Sequence, residues 1–249
     1  MKLYAVILLL LANVSLCGAV SLKNVEAAAV SEQTTSSQSH YVQMVAEKQA
    51  SPVSAAGAYD ELVERYRALV LARQDYTDIV HDDELGVFEA ANSLGNKAVH
   101  ELGYLIEDLS GDGVPELVVG KLNGEINALY TLQEGVPQFV FKGLTRSSYS
   151  YLGDGRFYYN GAGGAAATAQ GVFRLAANGM ALECDSFHFT ALNSDGGIDV
   201  YYNETGSWDP AESQKTAMSA EDFFAYNPAV KLLPLTPFAR VACKAAAKY

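Results

Sequence analysis

From Tyr59 onward the apolar residues Tyr59, Leu62, Val63, Tyr66, Leu69 and Val70 recur at three- and four-residue spacing, while Asp60, Glu61, Glu64, Arg65 and Arg67 fill the positions between. A helix of 3.6 residues per turn gathers that spacing into one apolar stripe, so the segment predicts an amphipathic α-helix. A shorter pattern at Leu85, Phe88, Ala91 and Leu94 predicts a second helix, stopped by Gly95-Asn96. The two form a helical cap of about 40 residues.

After Leu102 the apolar period drops to two and turn residues return about every eight to twelve positions, the pattern of an antiparallel meander. Strands are expected near 104–109, 117–122, 126–132, 138–144, 148–152, 156–160, 168–175, 181–191 and 198–203. Asn123-Gly124 joins the second to the third, a pair suited to a type I′ turn because both residues tolerate positive φ. Ser219, with Asp222 three residues later, opens a short helix that Asn227-Pro228 ends. Residues 230–241 are apolar but carry Pro234 and Pro237, which suits an edge strand or a packed tail. The expected fold is therefore α+β, with an N-terminal helical cap, an antiparallel β-meander of sandwich- or barrel-like form, and a short C-terminal helix. One mainly-β domain spans 58–249.

The pattern before that domain is different. Lys2 precedes an apolar run from Val6 to Ala12, broken by Asn13 and Ser15, and small residues follow at Cys17-Gly18-Ala19. Such a run is too short for the roughly 20 residues that cross a bilayer and reads as a signal peptide over 1–19, cut after Ala19, with no membrane anchor left after processing. Lipid attachment at Cys17 is the less favoured alternative, because Leu16 stands where a small residue is wanted. Residues 20–57 are rich in Ser, Thr, Gln and Ala and cannot bury enough apolar surface to offset their ordering entropy, so they read as a flexible tether. The expected location is periplasmic or extracellular.

Charge narrows the partners. Seventeen Lys and Arg stand against 29 Asp and Glu, a formal charge of −12. A chain that acidic is repelled by phosphate backbones, which argues against nucleic acid and leaves glycans or proteins as partners of a monomer. Cys184 and Cys243 follow the signal segment in a compartment that permits disulfides, so one bridge between them is the simple expectation.

One segment carries recognisable chemistry. Asp108-Leu109-Ser110-Gly111-Asp112-Gly113-Val114-Pro115-Glu116 places oxygen-bearing side chains at loop positions one, three, five and nine, with a glycine at six. Calcium takes six to eight oxygens around a tight curve, and this spacing offers Asp108, Ser110, Asp112, the Val114 carbonyl and Glu116. The bland alternative is a hairpin turn in which aspartates hold their own backbone. Ser110 stands where a stronger site has Asp or Asn, and Val119 occupies the twelfth position in place of Glu. With Leu117-Val118-Val119-Gly120, then Gly124, Ile126 and Leu129-Tyr130, the segment resembles one FG-GAP-type repeat, the calcium hairpin of integrin-like β-propellers. It resembles more closely a group of uncharacterised bacterial secreted proteins and lipoproteins that hold one such hairpin after an N-terminal helix. The resemblance implies calcium as cofactor, with those five residues as its ligands. A single copy does not make a propeller, which needs several repeats to bury a core.

Other candidates carry less. Residues 161–167 are glycine- and alanine-rich, but no Lys-Ser/Thr follows to make a phosphate loop. His81-Asp82-Asp83-Glu84 is a run of neighbours at a helix start, where acidic residues are expected from the dipole alone. His100 and His188 lack partners at metal-ligand spacing, and neither His-Glu-x-x-His nor Gly-x-Ser-x-Gly occurs. The tyrosines and phenylalanine near 149–159, with Tyr201, Tyr202 and Trp208, offer an aromatic binding face, chiefly Tyr149, Tyr151, Tyr158 and Trp208, for sugar rings or a partner protein. Three functions compete: a calcium-stabilised, non-enzymatic surface or periplasmic binding module, a secreted hydrolase of cell-envelope or glycan material, and an accessory or inhibitor protein. The first is favoured because no catalytic constellation is legible.

Overall fold

A computed structural model describes residues 57–72, 81–164 and 166–240. The signal segment, the tether up to residue 56, Cys17 and Cys243 lie outside the described residues. The cap consists of α1 (Asp60–Ala72), α2 (Leu85–Leu94) and the single turn α3 (Ala98–Glu101), linked in part by short 3-10 turns. Gly95, at φ +56°, closes α2 as expected, and its amide donates to the Ala91 carbonyl. The chain then winds on through Gly95–Lys97 into α3, a turn the periodicity did not indicate.

Nine strands follow in meander order: β1 (Leu102–Glu107), β2 (Glu116–Lys121), β3 (Glu125–Gln133), β4 (Val136–Phe141), β5 (Ser147–Gly153), β6 (Arg156–Ala162), β7 (Thr168–Leu175), β8 (Leu182–Leu192) and β9 (Ile198–Asn203). Two short ribbons, β10 (Gln214–Lys215) and β11 (Thr236–Pro237), flank α4 (Ala220–Ala225) and pair with β9 and β1. All pairings are antiparallel, and the sheet is open, running β10-β9-β8-β7-β6-β5-β3-β2-β1-β11. No barrel closes, because β10 and β11 end opposite edges. β3 is the branch point: Glu125 and Ile126 pair with β5, while Leu129–Gln133 pair with β4.

The sheet curls over itself. Leu117, Val119, Ala128 and Tyr130 face the cap and pack with Tyr59, Tyr66, Val87, Phe88 and Phe238. On the other face Val118, Ile126 and Leu129 share a cluster with Phe141, Tyr151, Phe157 and Leu175 from the later strands. A third cluster continues along the same side through Tyr159, Ala169, Phe187 and Phe189. β2 is thus buried on both faces, with Leu117, Val118 and Val119 all at 0% exposure, which explains its unbroken apolar run.

Turn chemistry departs from expectation at one place. Asn123 does not take positive φ; Leu122, Asn123 and Gly124 form a three-residue connection in which Gly124 alone does, at +102°, and its amide donates to the Lys121 carbonyl. Two-residue turns with both residues at positive φ occur instead at Glu134-Gly135 and Asp154-Gly155. The helical cap is seated by glycine as well. At Gly86 in α2 a β-carbon would lie 2.3 Å from the Gly143 carbonyl oxygen and 2.4 Å from that of Asn127.

Candidate functional site

The loop between β1 and β2 is organised by its own carboxylates. Asp108 Oδ1 accepts from the Gly111 amide at 2.7 Å and Oδ2 from the Gly113 amide at 2.9 Å; Asp112 Oδ1 accepts from the Val114 amide at 2.7 Å. Ser110 Oγ accepts from the Asp112 amide and donates to Asp108 Oδ1, both at 3.3 Å. Gly111 and Gly113 take φ +80° and +88°, which side-chain-bearing residues adopt only with strain. The tip, with Asp108 and Asp112, is exposed.

Its base is fixed from inside. Glu116 is fully buried, and its Oε2 accepts from the amides of Leu109 at 2.7 Å and Ser110 at 3.2 Å. The Tyr59 hydroxyl, reaching down from the start of the cap, donates to the Pro115 carbonyl at 2.9 Å. Burial pushes the Glu116 carboxyl above the ordinary range, against the pull of the two amides. Glu116 Oε1 and the nearby Thr131 Oγ1 are buried without hydrogen-bond partners among the described residues. The Asn178-Gly179 turn covers both: a β-carbon at Gly179 would lie 2.8 Å from the Thr131 oxygen and 3.2 Å from the Glu116 oxygen.

The structure therefore divides the five residues drawn from the sequence. Asp108, Ser110, Asp112 and Val114 share the outer turn, whereas Glu116 sits beneath its entry. Their donors are all oxygens, the class that suits a hard cation. Among the described residues no three His, Cys, Asp or Glu side chains converge as a metal cluster. The aspartates instead cap the amides of their own turn.

The aromatic residues separate by strand alternation. Tyr149, Tyr151, Phe157 and Tyr159 lie across from one another on β5 and β6 and point into the curled face, where Trp208 packs 5.7 Å from Phe187. Tyr158 projects to the opposite face, 6.0 Å from Tyr226. The expected exposed platform is not formed: Tyr151 and Tyr158 are buried at 5% and 8%, and these rings are mostly packing. Burial raises the hydroxyls of Tyr149 and Tyr158 to about 12. Cys184 on β8 forms no disulfide among the described residues, and burial raises its thiol; the expected bridge to Cys243 falls outside the described residues.

Sequence reasoning passed over a buried polar network where the cap meets β3. Asp83 accepts from Arg65 Nη2 at 2.6 Å and from the Tyr130 hydroxyl, which in turn lies 2.7 Å from the Tyr66 hydroxyl. The Tyr66 hydroxyl also lies 3.0 Å from the Asp83 carbonyl oxygen, and Arg65 Nε pairs with Glu84 at 3.0 Å. Burial favours the neutral acid at Asp83, but hydrogen bonds from Tyr130 and Arg65, with the Arg65 charge, hold it below the ordinary carboxylate range. The only signal was an Arg on the polar side of a helix and an acidic run, each ordinary by itself.

No helix among the described residues is long and apolar enough to cross a membrane. Compared with family models, curated proteins and solved structures, the chain matches none.

Proposed function

We propose that the protein is an exported, non-enzymatic binding module whose β1–β2 hairpin takes calcium. The carrying observation is the division of the loop into a fixed base and an oxygen-rich tip. Buried Glu116 and Tyr59 grip its two ends, while Asp108, Ser110 and Asp112 bring their side-chain oxygens into one turn that the Val114 amide closes. A turn already closed by two left-handed glycines has little ordering entropy left to lose when an ion binds. Asp108, Ser110, Asp112 and Val114 are the residues that would hold the ion, and Glu116 would keep the loop in place. The resemblance to FG-GAP-type hairpins supports the same assignment, and the apolar run near the chain start supports export.

The test is thermal unfolding of the full chain with calcium and with chelator, beside Asp112→Ala. A ligand that binds only the folded state stabilises it by about 2.7 kcal/mol at a hundred times its Kd. A midpoint raised by calcium in the native chain and unmoved in the variant supports the assignment. Equal midpoints under all conditions leave the segment a turn and sink it.

A further inference from the structure

A second site lies on the opposite face of the sheet from the aromatic clusters. A cavity of about 140 Å³, open to solvent on one side, lies between β7–β8 and α4. Its floor carries Gln170, Val172, Ser186 and His188, which alternate onto one face because Gln170 pairs with His188 and Val172 with Ser186. Its cover is Met218, Phe223 and Tyr226. Gln170 Nε2 donates to the Phe223 carbonyl at 3.2 Å and so ties the cover to the floor. Ser219 caps α4 by accepting from the Asp222 amide at 3.0 Å.

Three features define what fits. The volume is close to that of the engineered cavity of about 150 Å³ that accepts benzene, so it holds one six-membered ring. No Asp, Glu, Lys or Arg lines it, so a charged ligand would enter unpaired and pay heavily in desolvation. Ser186 Oγ and the His188 ring make no hydrogen bond within the described residues, and the nearest ring to His188 is Tyr202 at 4.9 Å. Burial lowers the His188 pKa from its ordinary value and so disfavours the charged ring; a neutral imidazole has one nitrogen open as an acceptor. Met218 and the two aromatic rings supply the soft apolar contacts that aromatic ligands favour.

We propose that this cavity binds a neutral aromatic ring bearing a hydroxyl group, the phenol class, with Ser186 and His188 as the hydrogen-bonding partners. The site is independent of the hairpin and of any ion there.

Saturation-transfer NMR on the full chain, titrated with phenol, benzene and cyclohexanol, tests it. Phenol is expected to bind, with benzene and cyclohexanol each about fivefold weaker, the loss expected for one hydrogen bond or for the ring contacts. His188→Leu removes one of the two partners and should weaken phenol severalfold towards benzene's level while leaving benzene unchanged. Ser186→Leu, which fills the floor, and Met218→Trp, which closes the mouth from a position 40% exposed, should each abolish binding while unfolding midpoints stay near native. No phenol binding at millimolar concentration, equal binding of the three probes, or binding that survives both Ser186→Leu and Met218→Trp overturns the proposal.

Discussion

Gly86 is the place to test the seating of the helical cap. In an exposed helix, Gly→Ala stabilises by about 1 kcal/mol, because alanine has less backbone freedom to lose. Here the added carbon would lie 2.3 and 2.4 Å from two carbonyl oxygens, both on main chain that cannot rotate away. Separations under 3.0 Å are essentially never seen, so α2 must retreat by at least 0.7 Å, the difference between 3.0 and 2.3 Å. That retreat loosens Val87 and Phe88, which are 0% and 4% exposed beneath the cap. Overpacking of this kind costs about 1–3 kcal/mol, occasionally more, and at the upper end it outweighs the helix gain. The expected net loss is about 2 kcal/mol, a fall of roughly 4–8 °C in Tm for a domain of this size. Urea and thermal unfolding of the full chain, beside Asn92→Ala on the exposed side of the same helix, provide the assay. Asn92→Ala should stabilise by a few tenths of a kcal/mol from propensity. If Gly86→Ala is as stable as the native chain or more so, α2 does not rest on β3 and the argument fails.

Two further outcomes follow from the polar network. Tyr130→Phe removes the hydroxyl shared by Asp83 and Tyr66, and should cost about 1–3 kcal/mol in urea unfolding, because a charged acceptor loses a buried donor; no change would mean that water replaces it. Asp83 titrates below the ordinary carboxylate range in the folded chain, so its stabilisation is complete above the unfolded pKa near ~3.9 and is lost as pH falls through the lower folded value. Asp83→Asn should therefore lower stability at pH 7 and flatten its decline below about pH 4; parallel pH profiles would refute the assignment.

Periodicity located α1 and α2, capping residues located α4, and period-two runs between turn residues located nine strands within a few residues, because most of these elements bury one face against a neighbour; β2, buried on both faces, shows instead as an unbroken apolar run. β4 shows the limit: Val136 is 57% exposed on an edge that ends in buried Phe141, so its pattern is weak at the start. β10 and β11 have two residues each, too few for any period. At the hairpin, residue types were legible and positions were not. Glu116 has the spacing of a calcium ligand, yet strand alternation at the start of β2 carries its side chain inward to the Leu109 and Ser110 amides. The Arg65–Asp83–Tyr130 network and the Gln170–His188 floor join residues distant in sequence, and only strand register or helix packing brings them together. Tyr158 was grouped with Tyr149 and Tyr151 by proximity in the chain, but a period of two sends it to the far side.

The branching of β3 has a mechanical side. In the sheet ladder the cap-bearing strands meet the β5–β9 leaf at two residue pairs, Glu125 with Ser150 and Ile126 with Tyr149, and the segment leading to β11 adds the bond from the Lys231 amide to the Tyr151 carbonyl at 2.8 Å. Side chains reinforce that narrow seam: Phe141, at the end of β4, lies 4.4 Å from Tyr149 and 5.3 Å from Phe157. A pull that parts the two leaves would meet few ladder bonds there, and the resistance would come from interlocked rings. Cohesion at the waist of this sheet is thus set by the packing of Ile126, Leu129, Phe141, Tyr151 and Phe157 more than by backbone pairing.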